Sequence, residues 1–250
     1  MIRVEGLMKG FDGNEVLRGV DLEIRDGENV VVMGGSGGGK SVLLKHLCGL
    51  LKPDAGRVIV DEADIVPLDE DEMTPIRKKF GVLFQSGALF DSMTLFDNVA
   101  FPLREEHKLN EAEIEEHVMR ALKIVDLEKA REKKPAELSG GMRKRAGLAR
   151  ACVRAPKYIL YDEPTTGLDP IRAESINHLV LRLRDELKVT GVAVTHDIVS
   201  AYRIANRIAM LHEGRIYKVG TPQEIRDCAD PVVRKFVTGV GDQTKEVSLG

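Results

Sequence analysis

The stretch "VVMGGSGGGKS" (residues 31–41) decides how this chain is read. Five of the eight residues from Gly34 to Ser41 are glycine, and the run ends on Lys40 and Ser41. Its pattern is G-x-x-x-x-G-K-[ST], with Gly34, Gly39, Lys40 and Ser41 at the defining positions. Glycine takes positive φ without penalty and lets the main chain approach a ligand closely. The successive N–H groups of Gly35, Ser36, Gly37, Gly38 and Gly39 can then wrap an anion. The preceding "ENVVVM" is short and β-branched, as a buried strand is, and the following "SVLLKHLCGLL" reads as a helix. The loop thus delivers phosphate to a helix N-terminus, where the macrodipole and free N–H groups favour negative charge. In such a loop Lys40 contacts the β- and γ-phosphates and the Ser41 hydroxyl holds Mg²⁺. A flexible linker would not lie between a strand and a helix and finish on Lys-Ser.

Three more short apolar runs end in polar residues. "KFGVLFQ" ends at Gln85, "KYILYDE" at Asp162 and Glu163, and "GVAVTHD" reaches His196. Ligands of parallel α/β sheets bind at the carboxyl ends of strands, so all four runs aim their polar ends at one edge. Singly, each has an ordinary explanation: a loop glutamine, a pair of capping acids, a hydrogen-bonded turn histidine. Beside a phosphate loop they form one set. A carboxylate is expected near Mg²⁺, and Asp162 fits. Glu163 is placed to polarise an attacking water as general base. His196 would contact the γ-phosphate, and Gln85 would position either the water or the metal.

Bulk composition sets the limits. A chain of 250 residues is long enough to bury a substantial core. The net charge of −3 and an aromatic content of 4% argue against a nucleic-acid partner. Cys48, Cys152 and Cys228 are far apart with no CxxC spacing, which argues against a zinc site and a disulfide framework. No apolar run approaches the roughly 18 residues of a membrane span, so any membrane role requires a partner. The N-terminal "MIRVEGLMKGF" carries no signal pattern.

In "LSGGMRKRAGLARA" (residues 138–151), Ser139 reads as an N-cap and the rest as a helix. Arg143, Lys144 and Arg145 crowd its start, where the macrodipole favours acids. Either an anion sits on Ser139 and the Gly140 and Gly141 amides, or the triplet is a solvated basic face. Together with the phosphate loop, Gln85, "YILYDEP", "TTGLD" (165–169) and His196, this stretch resembles the ATP-binding cassette ATPases over about residues 2–225. The resemblance implies an α/β fold: a P-loop NTPase (RecA-like) core with an antiparallel β subdomain and an inserted α-helical subdomain. It implies ATP and Mg²⁺ as ligands and a head-to-tail dimer, in which the phosphate loop of one copy faces Ser139, Gly140 and Gly141 of the other. It further implies that Phe11 stacks on adenine, where tyrosine is more usual, and that Asp169 links the two sites across the dimer. Met142 replaces the family's usual glutamine and cannot hydrogen-bond as an amide does. The form of this signature and the segment "LFQSGALFDSMTLFDNVAFPL" (83–103) resemble the MlaF-like ATPases of Mce-associated phospholipid transport systems. That likeness implies a multispanning permease partner, an Mce-type substrate-binding protein and a small cytoplasmic accessory subunit. It also implies a cytoplasmic location, peripheral on the inner face of the inner membrane.

Along the chain, residues 1–228 are expected to form the ATP-binding domain, with the helical subdomain inserted at about 86–150. Residues 229–250 are expected to be a short helix and tail. "PLDEDEMTPIRKK" reads as an acidic surface stretch. Five of the seven phenylalanines (Phe80, Phe84, Phe90, Phe96, Phe101) fall between 80 and 101, either as packing for the helical subdomain or, in part, as a groove for a permease helix. Two rival functions stay open: a transporter ATPase for another cargo, and a soluble cassette ATPase of cofactor assembly.

Overall fold

The computed structural model describes residues 1–238. Strands β1 (Ile2–Phe11) and β2 (Asn14–Ile24) form a hairpin whose turn places Asp12 and Gly13 at positive φ. An Asp-Gly pair suits such a turn because its twist matches that of the strands. β3 (Asn29–Met33) runs through the glycine loop into α1 (Lys40–Leu47). β4 (Ala55–Val60) and β5 (Ala63–Asp64) complete an antiparallel sheet of order β2-β1-β4-β5. Then come α2 (Glu70–Arg77), β6 (Phe80–Leu83), α3 (Leu95–Arg104), α4 (Glu111–Ile124) and α5 (Gly140–Cys152). β7 (Tyr158–Asp162), α6 (Pro170–Leu187), β8 (Thr190–Thr195) and α7 (Ile198–Ile204) alternate, as βαβ units do. β9 (Arg207–His212), β10 (Arg215–Gly220), α8 (Pro222–Arg226) and α9 (Pro231–Thr238) finish the described chain.

The second sheet has the order β10-β9-β3-β8-β7-β6. Its four pairings from β9 to β6 are parallel, and only the edge strand β10 pairs antiparallel, with β9. Strands covered on both faces read as unbroken apolar runs, and β3 is the clearest case. Val31 and Met33 join the core that packs on α3, α4, α5 and α6, while Val30 and Val32 join the core beneath α1 and the antiparallel sheet. One strand therefore pins two cores together, and its carboxyl end is the glycine loop. The parallel register brings the ends of β3, β6, β7 and β8 to one edge, as their sequences predict.

Two local readings are corrected. The acidic stretch at 67–79 contains helix α2, despite Pro75 inside it. Asp69 accepts from Glu72 N–H and Glu72 reaches back to Asp69 N–H, a capping box that starts the helix, and Met73 and Ile76 bury its inner face. The phenylalanines do not form one cluster. Phe80 stacks on Tyr158 in the core beneath α1, whereas Phe90 and Phe101 pair at 4.9 Å and Phe90 remains exposed. Phe96 lies under the Arg131 guanidinium.

Asn98, fully buried in α3, shapes the loop that carries Phe90. Its Oδ1 accepts from Phe90 N–H at 2.7 Å, and its Nδ2 donates to the carbonyls of Phe90 (3.1 Å) and Thr94 (2.9 Å). Asn98→Ala is expected to leave these groups unpaired and cost about 1–3 kcal/mol of stability, read as a lower urea midpoint. At the other end of the chain, Val233 of α9 is buried and Phe236 meets the His212 ring edge-on at 5.8 Å. The expected tail at 239–250 lies outside the described residues.

Candidate active site

The glycine loop curls so that α1 starts without a side-chain cap. Gly39 is its N-cap at φ 93°, a left-handed conformation, and a Cβ there would lie 2.9 Å from Leu17 and 3.0 Å from Val16. Neither an acid nor a capping side chain occupies the first turn, which leaves the helix N–H groups directed at the loop. Ser36, Gly37, Gly38, Gly39, Lys40 and Ser41 line a half-open cavity of about 360 Å³ together with Gln85, Glu163 and His196. Gly34 is buried behind the loop, and Gly35 is exposed at its rim.

Lys40 is only 6% exposed, and its ammonium donates to the carbonyls of Gly34 (3.0 Å) and Gly35 (2.9 Å). Burial pulls its pKa below the ordinary lysine value, and the nearby charges of Glu163 and Asp162 push it back only in part. A buried cation facing a polar cavity is chemically matched to a polyphosphate anion. The Ser41 hydroxyl donates to Asp162 Oδ1 at 2.8 Å. One hydroxyl and one carboxylate suit Mg²⁺, which keeps waters and substrate oxygens as its other ligands. Among the described residues no group of three or more His, Cys, Asp or Glu is placed to hold a metal ion.

Glu163 follows β7 and holds a positive φ of 48°, rare for a residue with a side chain. Such strain costs on the order of 1 kcal/mol or more and persists where surrounding contacts fix it. Its carboxylate is held on both oxygens. His196 Nδ1 lies 2.9 Å from Oε1, while the hydroxyls of Thr166 (2.9 Å) and Thr195 (3.1 Å) donate to Oε2. Burial pushes the Glu163 carboxyl up, but the hydrogen bonds from His196, Thr166 and Thr195 outweigh it, so the group sits below the usual glutamate range. An ionised carboxylate at the edge of the glycine-loop cavity can accept a proton from water.

Several expected residues are not brought to this cavity within one chain. Ser139 is exposed and caps α5, accepting from Met142 N–H, with Gly140 and Gly141 beside it. Asp169 caps α6 by accepting from Arg172 N–H at 3.0 Å. Phe11, 42% exposed at the β1–β2 turn, lies outside the cavity lining, with Lys9 above its ring. The basic triplet does not share one environment: Arg143 is exposed, Arg145 is half-buried and Lys144 is buried. Arg143 donates to the Leu138 carbonyl, Arg145 to that of Val125, and Lys144 is sunk in the core.

Some residues at the site were not legible in sequence. Thr166 and Thr195 look like ordinary turn and strand residues, and only the repeated threonines of "PTTG" hint at the first. Behind them, Asp197 accepts from Thr165 (2.9 Å) and Ser200 (2.6 Å), and Asn177 donates to Ser200. This buried network ties the start of α7, and with it His196, to the turn after Glu163.

A glycine loop on a helix N-terminus, with a buried lysine, a hydroxyl–carboxylate pair and an oriented glutamate, defines a P-loop nucleotide-hydrolysing core. Residues 17–166 match the sequence signature of the ABC transporter family. The chain is 44% identical over 238 residues to the probable ribonucleotide transport ATP-binding protein mkl of Mycobacterium leprae, covering 95% of this chain and 69% of that one. It is 38% identical over 242 residues to the intermembrane phospholipid transport system ATP-binding protein MlaF of Haemophilus influenzae, covering 97% and 92%. A solved dimer of the ATP-binding cassette MJ0796, in a post-hydrolysis state with ADP and Pi, superposes with a TM-score of 0.82 at 35% identity, covering 89% of this chain and 99% of that one. The chain belongs to the ABC transporter family, as one of its ATP-hydrolysing cassettes. It spans about two thirds of the length of the mycobacterial relative. No described helix is long and apolar enough to cross a membrane.

Proposed function

We propose that this chain drives a membrane transporter that moves phospholipid, working as a head-to-tail pair of identical cassettes. The main chain of residues 34–39 and the Lys40 ammonium bind the triphosphate, and Phe11 stacks on the adenine. Ser139, Gly140 and Gly141 of a second copy close the site from the opposite side, which accounts for their distance from the cavity in one chain. The solved MJ0796 dimer supports such pairing. Ser41 and Asp162, with Gln85, hold Mg²⁺, which when bound neutralises charge on the phosphate oxygens. Glu163 takes the proton of the attacking water, and His196 orients Glu163 and faces the γ-phosphate. Asp169 sits beside the contact between copies and links the two sites. Gln85 begins the loop that leads to exposed Phe90, so closure around nucleotide is transmitted toward the permease face.

The observation that carries the nucleotide half is the single cavity shared by the loop, Glu163, His196 and Gln85. Phospholipid as cargo rests on likeness to MlaF, which extends over 92% of that protein. As partners we propose a multispanning permease, an Mce-type binding protein and a small accessory subunit, with the chain peripheral on the cytoplasmic face of the inner membrane. A second reading, ribonucleotide transport, is favoured by the higher identity to the mycobacterial protein. Purifying the intact complex and identifying bound small molecules by mass spectrometry separates the two. Phospholipid enriched over bulk membrane lipid is the expected result, and ribonucleotide bound in its place, outside the cassettes, overturns the lipid assignment.

A further inference from the structure

Lys144 has the chemistry of a surface residue and the position of a core one. It is 5% exposed, in the second turn of α5, and its Nζ donates to the main-chain carbonyl of Glu163 at 2.9 Å. That carbonyl also accepts from Thr166 N–H at 3.3 Å, while Glu163 N–H is fixed on Val194 at 2.9 Å. Glu163 is thus clamped at both main-chain groups in its left-handed conformation, and Lys144 is the clamp that comes from outside the β7–β8 region. A buried ammonium is costly, and a methionine or leucine would fill the same space without that cost. What lysine adds here is a charged donor on one carbonyl.

Helix α5 is well placed to carry such a contact. Its N-terminus is the Ser139-Gly140-Gly141 turn. Gly147 packs so closely on the loop after Gln85 that a Cβ would lie 2.7 Å from Leu83 and 3.2 Å from the Gly87 carbonyl. Arg150 donates to the carbonyls of Gly87 (3.0 Å) and Ala88 (2.7 Å). The helix therefore holds the Gln85 loop along its length and Glu163 through Lys144.

We propose that Lys144 is a positioning residue for hydrolysis: its ammonium holds the main chain of Glu163 so that the carboxylate aims into the cavity, and it makes that aim depend on the seating of α5. The inference rests on Glu163 acting as the base. Hydrolysis would be fast only when the helix bearing Ser139 is in register with its own chain's catalytic strand.

Steady-state ATPase assays of the full chain test this, with nucleotide affinity measured separately by a non-hydrolysable ATP analogue. Lys144→Met is expected to lower kcat at least about tenfold while KM and analogue Kd stay within about threefold. Lys144→Arg, which keeps a charged donor, is expected to recover most of the lost kcat. If Lys144→Met does not fold, Lys144→Gln is read in the same way. Parental kcat in the methionine variant, or a raised KM with kcat unchanged, overturns the proposal. Glu163→Gln measured alongside separates the two ideas: if it alone is inactive, only the role of Lys144 fails, and if it keeps parental turnover, the base assignment itself fails.

Discussion

Glu163→Gln is expected to reduce ATP turnover by at least about 10²-fold while ATP affinity stays near that of the parent, since general-base assistance contributes roughly 10²–10⁴-fold. Glutamine keeps the shape of the side chain, so Thr166 and Thr195 can still donate to its carbonyl oxygen, and the fold is retained. What disappears is the ionised oxygen beside His196, which burial alone would not keep charged. Since binding persists and chemistry stops, the variant should accumulate as an ATP-bound dimer, visible by size-exclusion chromatography with ATP and magnesium. Turnover within a few-fold of the parent would remove Glu163 from the base role.

The second large effect concerns Lys40. Lys40→Met is expected to weaken ATP binding by at least about 100-fold, or about 2.7 kcal/mol. Among the described residues the buried ammonium is the single lysine or arginine cation in the cavity lining, and methionine fills its space without its charge. Gly35 is exposed, so water can reach one of the two carbonyls that Lys40 now satisfies, and the nucleotide-free variant should melt close to the parent. Thermal shift separates binding from folding. At ATP 100-fold above the parental Kd, the parent gains about 2.7 kcal/mol and the variant about 0.4 kcal/mol. An equal ATP-induced shift in both proteins would contradict the placement of phosphate on this loop.

What was legible in the sequence, and what was not, follows from burial. The inner strands β3, β7 and β8 are covered on both faces, so they appear as unbroken apolar runs, and the polar residue ending each run marks the site edge. The glycine loop is legible because Gly39 has to combine left-handed backbone with contact to Leu17 and Val16. α2 was missed because its acidic face and Pro75 resemble a loop, while its capping box uses acids that double as surface charge. Lys144 was misread for a related reason: in sequence a lysine between two arginines looks solvated, and only tertiary packing reveals the carbonyl it reaches. Asn98 was passed over because nothing local distinguishes a helical asparagine that folds back on a distant loop. Ser139 and Asp169 read as site residues yet serve as helix caps in one chain, because the site proposed for them spans two copies.

The most direct measurement of the central claim is calorimetric titration of the full chain with ATP and magnesium, run on the parent and on Lys40→Met. Saturable uptake of one ATP per chain by the parent, with little or none by the variant, is the predicted result. No heat from the parent, or equal binding by both, would contradict triphosphate being held by the main chain of residues 34–39 and the Lys40 ammonium.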